Sequence, residues 1–203
     1  MALAIEHGNP EYRSKYLYRK MSNETLLEAI KILESAGIRV ATPIMVGLPL
    51  TKLKDDLDTL KFAIKASPTY ASATIFQPYP GLPLTQVCLK NNLIDKDYQK
   101  QLGNDCYARA PLHDIDYPAV EKLRNNFVLL RRMHEMTGIK VEKLFKYLPN
   151  NLLSRFINNI ISFILFNKIY DYNRGVIGRF NEIFIGIMTG AYGIKIKKNM
   201  SKW

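Results

Sequence analysis

Three short apolar runs, separated by segments with helical spacing, occupy the first half of the chain. The runs are Met1–Glu6, Ile38–Val46 and Tyr70–Phe76, and apolar runs of this length are typical of strands buried on both faces. Between the runs, apolar residues recur at helical spacing, which predicts amphipathic helices. Strands that alternate with helices in this way predict an α/β fold with three parallel strands.

Turn and capping residues mark the ends of these predicted elements. Ser22 or Asn23 caps the first helix, and Gly37 closes it at the left-handed position that glycine favours. Gly47 ends the second strand, and the next helix follows over Lys52–Lys65. Each predicted strand is therefore followed by a short, well-defined loop.

From about Asp95 onwards the pattern is helical without strands. Ala119–Glu135, Val141–Tyr147 and Asn151–Tyr170 are predicted helices, and Phe180–Ile194 is a last apolar segment. The predicted helix over Asn151–Tyr170 is strongly apolar, but a cation and several asparagines make it too polar for a membrane span. It is expected to pack on the neighbouring elements or to lie along a surface. The predicted domains are residues 1–94 and an α-helical C-terminal region over residues 95–203.

Charge and cysteine content narrow the classes of partner. The net charge of +11 lies mostly late in the chain. Such a basic end can bind nucleic acid or anionic lipid, but it more often only solvates the protein. Nucleic acid is not the expected partner, and a membrane surface remains an alternative. Cys88 and Cys106 do not form a disulfide framework, and no export signal is present, which favours a cytoplasmic location.

Polar and glycine residues follow the ends of the predicted strands. Glu6 ends the first strand, Gly47 the second, and Gln77 the third, with Tyr79 in the rigid loop beyond it. The carboxyl ends of parallel strands meet on one side of a sheet, where ligands bind. We therefore expect these residues to line one rim around a nucleoside-sized hollow.

The order of these motifs resembles a known family. The sequence is similar to the later half of radical S-adenosylmethionine (radical SAM) barrels, and most similar to the enzymes with a cobalamin-binding domain ahead of the barrel. The resemblance covers about residues 1–94. It is carried by Ile5–Asn9, Arg13, Arg19, Met21–Glu24, Ala36–Ile38, Val46–Pro49 and Pro78–Gly81.

The resemblance implies a partial TIM-type (β/α) barrel, to which this chain contributes three parallel strands. In the family a 4Fe–4S cluster on three cysteines reduces S-adenosylmethionine, and the resulting radical abstracts a hydrogen from the substrate. By position, Glu6 matches the acidic residue that binds the ribose hydroxyls, a role that suits a carboxylate. Arg13 or Arg19 suits the methionine carboxylate, and Gly47 matches the motif near adenine.

Gln77 and Tyr79 match positions beside the adenosine.

Two departures from the family pattern are important. The loop after Pro49 reads Leu-Thr-Lys where the family has Gly-Glu-Thr. The cluster motif C-x₃-C-x₂-C is also absent, and an iron–sulfur cluster needs thiolate ligands.

The sequence therefore predicts the C-terminal fragment of a radical SAM enzyme, which supplies part of the S-adenosylmethionine pocket. The expected partner is a missing N-terminal half that carries the 4Fe–4S ligands, with cobalamin as a further cofactor of the full-length relative. No catalytic residue, metal ligand or substrate is assigned. One alternative is a non-catalytic basic module that binds a membrane or a partner through its C-terminal helices. Another is a product that does not fold stably, because open sheet edges stay exposed.

Overall fold

The computed structural model describes residues 1–102 and 109–169. In these residues the chain is mostly helical and contains two strands, β1 (Ala41–Val46) and β2 (Tyr70–Ile75). A 3₁₀ turn covers Tyr98–Gln101. The α-helices of the described part are α1 (Pro10–Tyr16), α2 (Asn23–Ser35), α3 (Leu53–Ala66), α4 (Pro83–Lys90), α5 (Tyr117–Asn125), α6 (Phe127–Thr137), α7 (Val141–Tyr147) and α8 (Leu152–Asn167).

The predicted partial TIM-type barrel with three parallel strands is wrong. The β1 and β2 strands form one parallel sheet, in which Ala41 pairs with Tyr70 and Val46 with Ile75. The first predicted strand, over residues 1–6, makes only two isolated parallel bridges to β1 in the described structure.

The chemistry of β1 explains why residues 1–6 do not form a continuous strand. Ala2 bridges Ala41, but Glu6 bridges Ile44, so the two segments do not advance residue for residue. Pro43 lies between these bridges and has no N–H to donate to the ladder. Glu6 itself has φ 62°, a left-handed conformation that ends extended structure.

The main hydrophobic core packs the sheet against helices from both halves of the chain. Ile5, Ile44 and Leu60 from the first half lie in the same buried cluster as Leu123 and Leu130 from α5 and α6. A smaller cluster packs the α4 region under the loops at the carboxyl end of the sheet. The predicted domain boundary at residue 94 stays a prediction.

Local hydrogen bonds explain where two of the helices begin or end. A single helix was expected over 119–135, but Asn126 separates α5 from α6 and its buried amide donates to the Lys122 carbonyl at 2.9 Å. Asparagine favours such local bonds over a continuous helix. The short helix α1 begins at a local cap, because the Asn9 side chain accepts from the Glu11 and Tyr12 N–H groups.

The predicted C-terminal helices α7 and α8 are present, and α8 ends at Asn167, three residues before the predicted end. The predicted apolar segment Phe180–Ile194 and Cys106 lie outside the described residues. Across 1–102 and 109–169, no helix combines the length and apolar character needed to cross a membrane.

The centre of β1 should dominate the stability of this core. Ile44 is fully buried, so Ile44→Ala is expected to lower the free energy of unfolding by about 2–5 kcal/mol through lost burial and a residual cavity. Ile32→Ala on α2, where the side chain is 60% exposed, is the matched control and should change it by less than about 1 kcal/mol. Urea denaturation of the full chain measures both, and equal losses would contradict this account of the core.

Candidate functional site

Three co-directional segments bring the predicted residues to one end of the sheet. Glu6 bridges β1 in parallel, and the Phe76 N–H donates to the Val46 carbonyl at 3.1 Å where β1 and β2 end. Gly47 and Gln77 follow these points directly. We call Glu6, Gly47, Gln77 and their loops the rim. Its alignment comes from the backbone pairing described above.

Glu6 forms an ion pair at the rim. Its Oε1 lies 2.9 Å from Nη2 of Arg19, and the Glu6 side chain is 18% exposed. Burial raises the pKa of Glu6, and the nearby Arg19 charge partly offsets that effect. A left-handed backbone at a non-glycine residue costs about 1–3 kcal/mol and tends to occur at functional sites.

The two candidate arginines have different surroundings. Arg13 is buried, and its guanidinium donates to the His7 carbonyl at 2.6 Å, the Met21 carbonyl at 3.0 Å and Asn23 Oδ1 at 2.7 Å. It therefore joins α1 to the start of α2. The Arg19 side chain is 41% exposed, so Arg19 is the more accessible candidate for a ligand carboxylate.

Gly47 is held by a carboxylate that the sequence analysis did not single out. Its N–H lies 3.2 Å from each oxygen of the buried Asp56 of α3. Burial raises the pKa of Asp56 to about 7, and the Gly47 N–H partly opposes that rise. The signal was available, because Asp56 lies four residues before Leu60 on the buried face of α3.

The space beside Gly47 is occupied by the C-terminal region. Gly47 has φ +64°, and a Cβ atom there would lie 3.0 Å from Cγ1 of Val120 in α5 and 3.7 Å from Ile115. Only glycine combines this backbone with such a close neighbour. The open part of the rim therefore lies toward Glu6 and Arg19 and not above Gly47.

Of the two predicted site residues after β2, Gln77 is buried and Tyr79 is exposed. Gln77 is buried directly beyond the strand, whereas Tyr79 is 44% exposed in the loop. The Tyr79 N–H donates to the Gln77 carbonyl, and the Tyr79 carbonyl accepts from the Thr85 hydroxyl at 2.8 Å. These bonds tie the loop to α4 and leave the tyrosine ring accessible for stacking.

An open cleft of about 490 Å³ lies next to this region, on the side of α3. His7 is buried in its wall, where Nδ1 accepts from the Asn9 N–H at 3.2 Å and the ring lies 4.8 Å from that of Tyr12. Burial lowers the pKa of His7 to about 4, so the ring is neutral. The cleft is lined by His7, Gly8, Asn9, Pro10, Glu11, Asn23, Asp55, Asp58 and Phe62.

The cysteine content does not fit a 4Fe–4S cluster. The chain has two cysteines, whereas the cluster motif of radical SAM enzymes has three. Cys88 is buried, and burial raises the pKa of its thiol to about 11, which disfavours the thiolate a cluster needs. In the part of the chain that the structure describes, no group of three or more His, Cys, Asp or Glu side chains could hold a metal ion.

Comparison with known proteins gives one partial similarity. No protein-family model matches the chain. The chain is 28% identical over 90 residues to an uncharacterized methyltransferase of Pyrococcus horikoshii. The match covers 44% of this chain and 19% of that protein, so the chain spans about a fifth of the length of this relative.

Asp56 and His7 should change stability with pH in opposite directions. Between about pH 4 and 7 the folded chain keeps a proton on Asp56 that the unfolded chain has released, so this carboxyl makes the fold less stable as the pH rises. Between about pH 4 and 6.5 the unfolded chain binds a proton on His7 that the folded chain does not, so His7 makes the fold more stable as the pH rises.

We therefore expect the free energy of unfolding of Asp56→Asn, minus that of the wild type, to rise with pH between about 4 and 7. The same difference for His7→Asn should fall between about 4 and 6.5. Each total change is expected to be on the order of a few kcal/mol. Denaturant titrations at several pH values measure both differences. Differences that do not vary with pH would contradict the assigned burial.

Proposed function

We propose that this chain is the C-terminal part of a radical SAM enzyme and that the rim supplies part of its S-adenosylmethionine pocket. The proposal extends to methyl transfer as the reaction of the whole enzyme. It is supported by the ordered motifs at the strand ends and by the similarity of 90 residues to a methyltransferase. The observation that carries it is the placement of Glu6 beside Arg19 at the end of parallel segments.

The donor and acceptor groups at the rim fit part of this ligand. A carboxylate such as Glu6 can accept hydrogen bonds from two ribose hydroxyls. Arg19 contacts Glu6 through one nitrogen and remains partly exposed, so its guanidinium can also donate to a methionine carboxylate. The accessible ring of Tyr79 suits stacking on adenine. S-adenosylmethionine would supply an activated methyl group or, after one-electron reduction by a 4Fe–4S cluster on the other polypeptide, an adenosyl radical.

The 4Fe–4S cluster has to be held by another segment, because this chain has too few cysteines. We propose that a polypeptide with the C-x₃-C-x₂-C motif completes the site, and that it also carries any cobalamin-binding domain. The match to about a fifth of a longer methyltransferase is consistent with such a division. No step of the reaction is assigned to residues of this chain beyond binding and orienting S-adenosylmethionine.

The role of Glu6 can be tested with S-adenosylhomocysteine as the probe. In the complex with the cysteine-bearing polypeptide, Glu6→Gln should weaken binding about tenfold, because hydrogen bonds to a charged acceptor are lost. Glu28→Gln on the exposed side of α2 is the matched control and should bind like the wild type. Isothermal titration calorimetry measures the dissociation constants, and thermal unfolding of each variant controls for folding.

Two results would overturn the proposal. One is unchanged affinity in Glu6→Gln, which would remove the rim from the ligand site. The other is the absence of a C-x₃-C-x₂-C coding segment from the DNA on both sides of this gene, which would remove the radical SAM assignment.

A further inference from the structure

The last described helix, α8, exposes an apolar face. Because an α-helix has 3.6 residues per turn, five of its large apolar side chains fall along one side. Leu152 is 80% exposed, Leu153 65% and Ile164 53%. We call this set the outer face of α8; its members are Leu152, Leu153, Phe156, Ile157 and Ile164.

Polar residues hold the opposite side of α8 against the protein. Ser154 and Asn158 are both buried. Asn158 Oδ1 accepts the Leu129 N–H at 3.0 Å, and the Ser154 hydroxyl donates to the Pro149 carbonyl at 2.7 Å. Leu129 is in the first turn of α6, where backbone N–H groups have no partner within the helix. Asn158 therefore caps α6 and fixes the rotation of α8 with its apolar residues outward.

Cations flank the outer face of α8, and residues 143–169 include no acidic residue. At about 100° per residue, Arg155 falls beyond one edge of the face and Lys168 beyond the other, and both are exposed. From residue 143 to 169 the sequence has four cations and no Asp or Glu, the others being Lys143 and Lys146. An apolar face with basic edges is the pattern of a helix that lies in a membrane interface.

We propose that the outer face of α8 docks on an anionic membrane surface, with the helix lying in the plane of the interface. The apolar side chains enter the boundary between headgroups and acyl chains, and Arg155 and Lys168 pair with lipid phosphates or carboxylates. Tyr147, which is 70% exposed just ahead of α8, suits the headgroup level.

Charge favours this occupant over a second copy of the chain. A symmetric contact through the outer face places the same patch on both copies. It would bring Arg155 and Lys168 of one copy near those of the other, without an acid between residues 143 and 169 to pair with them. An anionic lipid surface supplies the complementary charge.

Vesicle flotation of the full chain tests the proposal. The chain is expected to float with vesicles of phosphatidylcholine and phosphatidylserine and to bind less as NaCl rises. The double variant Leu153→Glu with Ile164→Glu should lower the partition coefficient about tenfold or more, because apolar contacts are lost and like charges are added. Its matched control is Ile32→Glu with Met136→Glu, which changes the charge equally at two exposed apolar residues outside α8.

Each alternative result counts against the proposal. Failure of the wild-type chain to float with anionic vesicles would overturn it, as would equal loss of binding in the control variant. A dimer in sedimentation that the α8 variant abolishes, without vesicle binding, would assign the face to a second copy. Circular dichroism of both variants checks that the helices remain, and these results do not depend on S-adenosylhomocysteine binding.

Discussion

Parallel backbone pairing along both edges of β1 is the constraint on which the rest of the structure depends. On one edge β1 pairs with β2 in regular register, and on the other it bonds residues 1–6 at two separate points. This pairing places Glu6, Gly47 and Gln77 at the carboxyl ends of three neighbouring parallel segments. It also orients α2 and α3, which connect to the same strand, so that their apolar faces cover the core.

Buried charged groups connect the helices to this framework. Arg13 joins the loop after Glu6 to α1 and α2 through three hydrogen bonds. Arg131 of α6 donates to the Pro68 carbonyl at 2.6 Å, next to the start of β2, and pairs with Glu135. Asp56 holds Gly47 at the carboxyl end of β1. Loss of one partner from such a bond leaves a buried polar group unsatisfied, which is more costly than loss of a surface contact.

The rim and the outer face of α8 are argued from different observations. The rim depends on backbone pairing and on the Glu6–Arg19 ion pair. The outer face depends on Asn158, whose hydrogen bond to α6 turns the apolar side chains away from the core. If both proposals hold, a site for S-adenosylmethionine would belong to a protein held at a lipid surface, and its substrate class would then be sought among membrane-associated molecules.

Local sequence signals were sufficient for most element types. The apolar runs predicted β1 and β2, and helical spacing together with Gly37 at the end of α2 predicted the helices that follow. These features depend on propensities and periodicities within one segment, and such signals are present in the sequence itself. The order of the strand-end residues was likewise readable, because parallel segments end on the same side.

Other features were decided only when distant segments packed together. Residues 1–6 have the apolar character of a strand, but their partner β1 contains Pro43, which interrupts the ladder. The apolar side of α8 could equally be a core face until Asn158 bonds to Leu129. In both cases the outcome depends on whether a hydrogen bond can form between residues that are far apart in sequence, and hydrophobic patterning contains no information about such a bond.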